Sequence, residues 1–225
     1  MSTMLTILIV HGGWHKPQHY DELKKLLEED GYEVHVPRLP SSHESRPPNY
    51  LSDDTKFVRS SVEKLVRDGR KVVVLMDSYG GQVGSNGLYG LGQELRSTQG
   101  HEGGVSRLIY MTAYALPEGV TMMDKPLVVG PGRDNAEIEA YISAMVQYNG
   151  RCMYQPSDHA AWWEIPVSYI YTSADMTVSL NYQQNFVQGL KKEGREVQTF
   201  ELATGHCPNF TATKEVADIV KKNAL

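Results

Sequence analysis

Met76-Asp77-Ser78-Tyr79-Gly80-Gly81 is the stretch of this sequence that says most about its architecture. Apolar and β-branched residues at 71–76 predict a buried strand, and the glycine-rich residues 80–95 predict a helix. A serine between a strand and a helix is typical of a nucleophile elbow, a strained turn that presents the hydroxyl to a pocket. Glycines suit this turn because strand and helix approach closely there. Met76 replaces the first glycine of the usual G-x-S-x-G signature.

Short β-branched runs alternate with amphipathic helical patterns on both sides of this turn. Such alternation predicts a mostly parallel sheet of about six strands, flanked by helices. The predicted strands span residues 5–10, 33–36, 71–76, 107–111, 167–172 and 197–202. The predicted helices span residues 18–30, 53–67, 80–95, 180–192 and 213–222.

Residues 116–165 break this alternation with prolines, glycines and many methionine and aromatic side chains. We interpret them as an inserted, mostly helical lid with a helix over residues 135–147. An irregular connector is the alternative. The length of 225 residues suits one α/β domain. We therefore predict a single domain over residues 1–225, with a core at 1–115 and 166–225 and a short lid at about 116–165.

The composition gives no reason to expect nucleic acid or a membrane as a partner, because the net charge is −5 and the pI about 5.9. The two cysteines, Cys152 and Cys207, do not indicate a disulfide framework. The apolar run near the N-terminus is too short to span a bilayer, and it lacks the basic segment of a secretory signal. We expect a cytoplasmic monomer or homodimer whose partner is a small-molecule substrate.

Two later loops offer partners for Ser78. A serine needs an adjacent base to act as a nucleophile, and Gly205-His206-Cys207-Pro208 places a histidine after the last predicted strand. The base needs a carboxylate to fix its tautomer, and Asp175 follows the preceding strand. Ser78 alone could be a polar turn residue, and His206 alone a solvated one. Together, in the order that accompanies a nucleophile elbow, the three residues predict a catalytic triad.

The loop after the first predicted strand, Val10-His11-Gly12-Gly13-Trp14, is a candidate oxyanion hole. A tetrahedral intermediate needs two N–H donors aimed at its oxygen. We expect one N–H from Tyr79, the residue after the nucleophile, and one from Gly13, with Trp14 as second choice. A plain glycine turn is the alternative.

Four segments together resemble the small α/β-hydrolases of the plant methylesterase and hydroxynitrile lyase group. They are His11-Gly12-Gly13-Trp14-His15, Ser78-Tyr79-Gly80-Gly81, Ala115-Leu116-Pro117-Glu118-Gly119 and Gly205-His206-Cys207-Pro208. Residues 116–119 and 161–166 resemble fungal and bacterial relatives more closely, and many fungal ones occur beside secondary-metabolite pathways. The resemblance covers nearly the whole chain and is weakest in the lid.

The resemblance implies an α/β-hydrolase fold and a cofactor-free enzyme with a buried pocket under its lid, acting on a small, rather apolar substrate. It makes Ser78, His206 and Asp175 the triad, and Gly13 and Tyr79 the oxyanion hole. The chain departs from the group at Asp77, where relatives usually have a neutral residue. That carboxylate either disfavours a nearby oxyanion or points away and pairs with another group.

Aromatic and methionine side chains of the lid and the first loop are candidates for lining the pocket, although packing of the lid on the core would need the same residue types. They are Trp14, Tyr141, Met145, Met153, Tyr154, Trp162 and Trp163. His11, His15 and His19 have i, i+4 spacing, but no Glu or Cys completes a ligand set, so we predict no metal.

These residues favour hydrolysis of a carboxylic ester or lactone of a small apolar metabolite, such as a polyketide-like compound, through an acyl-enzyme on Ser78. A lyase or cyclase that uses the same site only for proton transfer is the alternative. In hydroxynitrile lyases a lysine typically follows the catalytic histidine and a threonine lies in the glycine loop. Cys207 and Gly12 occupy these positions here and argue against cyanohydrin chemistry. A ligand-binding receptor on a hydrolase scaffold is the third hypothesis.

Overall fold

The computed structural model describes residues 5–43, 50–122 and 144–224. Its main sheet has six strands in the order β2-β1-β4-β5-β7-β8, and every neighbouring pair is parallel. This confirms the predicted parallel sheet of the α/β-hydrolase fold. The strands are β1 (Thr6–Val10), β2 (Glu33–His35), β4 (Lys71–Asp77), β5 (Gly104–Met111), β7 (Val167–Thr172) and β8 (Val197–Leu202), with a separate antiparallel pair of β3 (Ser42–His43) and β6 (Gln147–Tyr148).

Helices cover both faces of the sheet. Because side chains of a strand alternate between faces, the central strand β4 feeds two hydrophobic cores. Val72, Val74 and Met76 belong to one core, and Val73 and Leu75 to the other. The helices are α1 (Asp21–Glu29), α2 (Leu51–Arg67), α3 (Tyr79–Gly87), α4 (Gln93–Thr98), α5 (Leu180–Lys192), α6 (Pro208–Thr211) and α7 (Thr213–Ala224), with 3-10 helices at Pro17–Tyr20, Gly150–Tyr154 and Ala161–Trp163.

The helix predicted over residues 80–95 is interrupted. α3 ends at Gly87, and α4 begins at Gln93. Between them Gly90 has a φ of 80°, which ends a right-handed helix. The Glu164 carboxylate accepts the N–H of Gly90 at 2.7 Å and that of Gly92 at 3.2 Å, so the turn has its own hydrogen-bond acceptor.

The described part of the predicted lid is less helical than expected. Most of the helix predicted over residues 135–147 lies outside the described residues, and Gln147, its last predicted residue, begins the strand β6. β6 pairs with β3, while Val146 donates its N–H to the Trp14 carbonyl at 2.9 Å. These contacts to β3 and to the first loop hold residues 146–148 extended. The two later 3-10 helices are the helical segments described between residues 144 and 165.

None of the helices within the described ranges has both the length and the apolar character needed to cross a bilayer.

Candidate active site

Ser78 lies at a strained turn between β4 and α3. Its φ of 49° and ψ of −116° place it in a region that residues with a Cβ rarely adopt, which costs roughly 1–3 kcal/mol. The surrounding backbone fixes this conformation. Ser78 donates its N–H to the Met111 carbonyl at 3.2 Å, and its own carbonyl accepts from Gly81 at 3.0 Å and Tyr114 at 3.3 Å.

The close approach of α3 to the sheet requires glycine. A Cβ on Gly80 would collide with the carbonyl of Val10, and one on Gly81 would lie 2.9 Å from the Ala113 Cβ. The first glycine of the usual signature is not needed, because Met76 points at α3 where Gly84 leaves room: a Cβ on Gly84 would overlap the Met76 Sδ. Met76 is therefore compatible with the elbow.

Ser78, His206 and Asp175 form a continuous hydrogen-bonded chain. His206 Nε2 lies 2.9 Å from Ser78 Oγ, and His206 Nδ1 lies 2.8 Å from Asp175 Oδ2. An ionised carboxylate only accepts hydrogen bonds, so Nδ1 carries the hydrogen and Nε2 is left to accept the serine proton. All three side chains are buried, and Ser78 is 8% exposed.

The Asp175 carboxylate is held by a cage of donors. Its Oδ1 accepts the N–H groups of Thr177 at 2.7 Å and Val178 at 2.9 Å. Its Oδ2 accepts from the hydroxyl of Thr172 at 3.0 Å and from Gln183 Nε2 at 3.3 Å. These bonds hold the carboxylate in place and aim it at His206. Gln183, a residue that the sequence analysis missed, also accepts the Thr172 N–H at 2.9 Å.

The predicted oxyanion donors border the cavity that contains Ser78, which we call the serine cavity. In the described part of the chain, the N–H groups of Gly13 and Tyr79 form no other hydrogen bond. His11 Nδ1 donates to the Gly12 carbonyl at 2.8 Å. This bond orients the peptide plane whose N–H belongs to Gly13.

The serine cavity has a volume of about 330 Å³. Its walls are mostly apolar, and the first loop, the elbow and the described part of the predicted lid all contribute to them. The lining residues are Gly13, Trp14, His15, Ser78, Tyr79, Met122, Met145, Tyr148, Met153, Thr177, His206 and Cys207.

Only part of the predicted lining is found in this cavity. Trp14, Met145 and Met153 contribute to it. Trp162 does not: it is buried and lines a second, neighbouring cavity, and its indole N–H donates to the Leu116 carbonyl at 3.0 Å. Trp163 packs on Trp162 and is 43% exposed. Tyr154 also faces solvent, and Tyr141 lies outside the described residues.

The largest wall residue that the sequence analysis missed is Tyr148. Its ring centroid lies 5.1 Å from that of Trp14 and 5.0 Å from that of Tyr79. Only the pairing of β6 with β3 brings it there, so no local signal could have found it. Thr177 and Cys207 were detectable as close sequence neighbours of Asp175 and His206.

Asp77 points away from the serine cavity. Its Oδ2 accepts the Tyr20 hydroxyl at 2.5 Å, and its Oδ1 accepts the Thr112 hydroxyl at 3.3 Å. Burial is the largest cause that raises the pKa of Asp77 to about 6, opposed by the attraction of His206. Of the two orientations left open by the sequence, the structure has the carboxylate paired with core hydroxyls.

The histidines of the first loop are neutral. Burial is the main cause that lowers the pKa of His11 to about 3 and that of His15 to about 4. His15 Nδ1 donates to the Gly13 carbonyl at 2.8 Å. Among the residues that the structure describes, no group of three or more His, Cys, Asp or Glu side chains is placed to hold a metal ion.

Comparison with known proteins agrees with the observed fold. A profile of the Alpha/beta hydrolase family matches residues 7–219. The chain is 26% identical to the probable hydrolase R7 of Phoma sp., with 97% of each chain covered. It is 30% identical to the alpha/beta hydrolase nvfD of Aspergillus novofumigatus, and this match covers 76% of this chain and 78% of that relative.

Among solved structures, the methylesterase MES16 from Arabidopsis superposes with a TM-score of 0.74 at 16% identity, and the match covers 97% of this chain and 98% of that one. This likeness shows the fold alone. The family profile spans nearly the whole sequence, however, and the six-stranded parallel sheet is consistent with its fold. The chain therefore belongs to the Alpha/beta hydrolase family.

Proposed function

We propose that this α/β-hydrolase cleaves a carboxylic ester or lactone of a small apolar metabolite through an acyl-enzyme on Ser78. The observation that carries the proposal is the hydrogen-bonded chain from Ser78 Oγ to His206 Nε2 at 2.9 Å and from His206 Nδ1 to Asp175 Oδ2 at 2.8 Å. A serine with such a base and a buried carboxylate behind it has the arrangement that generates an alkoxide-like nucleophile near neutral pH.

Acylation begins when Ser78 Oγ attacks the ester carbonyl carbon and its proton moves to His206 Nε2. The new imidazolium is stabilised by the Asp175 carboxylate, whose position is fixed by the N–H groups of Thr177 and Val178. When the tetrahedral intermediate collapses, the bond to the alcohol oxygen breaks, and His206 returns the proton to that oxygen. The alcohol leaves, and the acyl group stays on Ser78.

The negative oxygen of the tetrahedral intermediate needs donors that are already in place. The N–H groups of Tyr79 and Gly13 border the serine cavity and have no other acceptor among the described residues. Tyr79 begins α3, so the helix dipole adds to its N–H. His11 fixes the Gly12–Gly13 peptide from behind, and its burial keeps it neutral.

Deacylation repeats these steps with water. His206 Nε2 takes a proton from water while the water oxygen attacks the acyl carbon. Collapse of the second intermediate breaks the bond to Ser78 Oγ, which recovers the proton from His206. The acid is released, and the enzyme returns to its starting state.

The substrate class is inferred from the cavity walls and from the relatives. Trp14, Tyr148, Met145 and Met153 give an apolar lining, and the volume of about 330 Å³ suits a small ligand. A structural neighbour of the same fold is a methylesterase, which supports ester chemistry.

A fluorophosphonate probe followed by mass spectrometry tests the proposal. The expected result is one stoichiometric adduct on Ser78, prevented by Ser78→Ala and slowed by His206→Ala. A panel of p-nitrophenyl and methyl esters should be hydrolysed by the wild type alone. A wild type that neither reacts with the probe nor hydrolyses any ester, but retains folded structure by circular dichroism, would contradict the acyl-enzyme and favour a proton-transfer lyase or a receptor.

A further inference from the structure

A second cavity adjoins the serine cavity, and we call it the side cavity. Its volume is about 280 Å³, and it lies between the chain segment that follows β5 and helix α5. Most of its walls are apolar. Its lining includes Tyr114, Met122, Trp162, Asn185, Gly189, Leu190 and Glu193.

Met122 is the residue shared by the two cavities. Its side chain is 2% exposed, so it fills the wall between them. Methionine has three rotatable bonds and no branch, and it changes rotamer at lower cost than a β-branched or aromatic residue. Rotation of the Met122 side chain is therefore the change that we expect to join the two spaces.

The side cavity is apolar inside and polar at its outer end. Leu190, Trp162 and Tyr114 are buried at the inner part. Asn185 and Glu193 are exposed and flank the opening. This gradient suits a hydrocarbon group, which contacts the inner walls and leaves the rim in water.

Gly189 keeps the outer end of this cavity open. It lies inside α5, where glycine is less favourable than other residues because the unfolded chain has more freedom. Close packing does not require it, because no atom of a described residue lies within 4 Å of the position that its Cβ would take. What the glycine provides is open space beside the side cavity.

We propose that the side cavity is a subsite for an extended hydrocarbon arm of the substrate, admitted past Met122 when the reacting carbonyl lies at Ser78. This inference rests on the proposed ester hydrolysis and names the substrate class more narrowly: an ester with an apolar arm too long for the serine cavity alone. The arm belongs to either the acid or the alcohol, and the two cases are separated by experiment.

The test compares two ester series in the wild type and in Gly189→Leu. One series lengthens the acid, from p-nitrophenyl acetate to p-nitrophenyl decanoate, and the other lengthens the alcohol, from ethyl acetate to decyl acetate. Leucine at position 189 places its side chain at the cavity opening and removes the helix penalty of glycine, so folding is not the obstacle. Gln188→Leu is the matched control, because it adds the same side chain at an exposed position of α5 that does not line the cavity.

The measured quantity is the ratio of kcat/KM for the longest ester to that for the shortest. Each methylene excluded from an apolar site costs roughly fourfold, so loss of about three methylenes from the side cavity lowers this ratio by roughly 50-fold. Gly189→Leu should show that loss in one of the two series, which identifies the arm, and Gln188→Leu should show it in neither. Met122→Ala should raise the same ratio above that of the wild type, because it removes the wall between the cavities.

Two further outcomes are decisive. If the wild type hydrolyses esters and Gly189→Leu leaves the ratio unchanged in both series, the side-cavity subsite is overturned and the proposed ester hydrolysis stands. If the wild type hydrolyses no ester, the proposed function fails. Calorimetric titration with decanoate then decides: binding weakened by Gly189→Leu and not by Gln188→Leu supports the subsite, and equal or absent binding in all three proteins refutes it.

Discussion

The hydroxyl of Tyr20 donates to the Asp77 carboxylate at 2.5 Å, across 57 residues of sequence. The same hydroxyl oxygen accepts the N–H of Gly12 at 3.2 Å. One side chain therefore joins the end of the strand that precedes Ser78, the proposed nucleophile, to the loop that carries the predicted oxyanion donor. With Thr112 on its other oxygen, Asp77 has hydroxyl partners on both sides, while the imidazole of His206 is hydrogen-bonded to Asp175 and Ser78.

The first prediction follows from the different places of the two carboxylates. Asp175→Asn should lower kcat by roughly 10⁴-fold, because an amide no longer fixes the useful tautomer of His206. Asp77→Asn should lower kcat by less than about tenfold, since its amide can still accept from Tyr20 and donate to Thr112 Oγ1. Steady-state kinetics with the ester identified by the panel measures both.

The double variant is the control. Because Asp77 does not reach His206, Asp175→Asn together with Asp77→Asn should be about as slow as Asp175→Asn alone. A small effect of Asp175→Asn that becomes large only in the double variant would show that Asp77 replaces Asp175 as the partner of the imidazole, and our assignment would be wrong.

The second prediction concerns stability and pH. The folded state raises the pKa of Asp77 from an ordinary value of 3.8 to about 6, mainly because the carboxyl is buried. Between these two values the unfolded chain releases a proton that the folded chain keeps. The contribution of Asp77 to stability is therefore present below pH 3.8, falls as the pH rises toward about 6, and does not recover above it.

Asp77→Asn should remove this fall. The free energy of unfolding of the variant minus that of the wild type should increase between pH 4 and pH 7 by an amount that reaches at most about 3 kcal/mol. Urea titrations followed by tryptophan fluorescence measure it. Asp68→Asn, which removes an exposed carboxylate, controls for the loss of one negative charge. A difference that stays flat for Asp77→Asn over this range would mean that Asp77 is ionised in the folded protein at no cost.

How far the sequence predicts this protein depends on the range of each interaction. The strands, the elbow at Ser78 and the order of Ser78, Asp175 and His206 are visible because parallel strands deliver their C-terminal loops to the same edge of the sheet. Each of these residues follows a strand with a strong β-branched pattern. The position of a strand end thus carries most of the information on the candidate triad.

The remaining features depend on contacts between distant segments. Tyr148 reaches the serine cavity through the pairing of β6 with β3, and two-residue strands leave no periodic signal. Trp162 was expected at the pocket from its residue type, but it lines the side cavity and not the serine cavity, and the Leu116 carbonyl accepts its indole N–H. The orientation of Asp77 is decided by the hydroxyl of Tyr20, which no local pattern connects to it.

The last prediction tests that connection. Tyr20→Phe keeps the buried ring and removes the hydroxyl, so Asp77 loses its closest donor and the Gly12 N–H loses its acceptor. A buried polar group left without a partner costs about 1–3 kcal/mol, and we expect the free energy of unfolding at pH 7 to fall within this range. Tyr154→Phe, at an exposed position, should change it by less than about 0.5 kcal/mol.

A double-mutant cycle separates the two roles of the hydroxyl. Part of the loss is the desolvated charge of Asp77, so Tyr20→Phe should cost less in an Asp77→Asn background, with a coupling free energy of about 1 kcal/mol or more. The Gly12 N–H remains without an acceptor in both backgrounds, so the loop next to Gly13 is less well fixed when charge develops on the substrate oxygen. Tyr20→Phe should therefore lower kcat in both backgrounds, while KM changes little. Equal costs in the two backgrounds, together with an unchanged kcat, would show that Tyr20 merely fills space beneath the elbow.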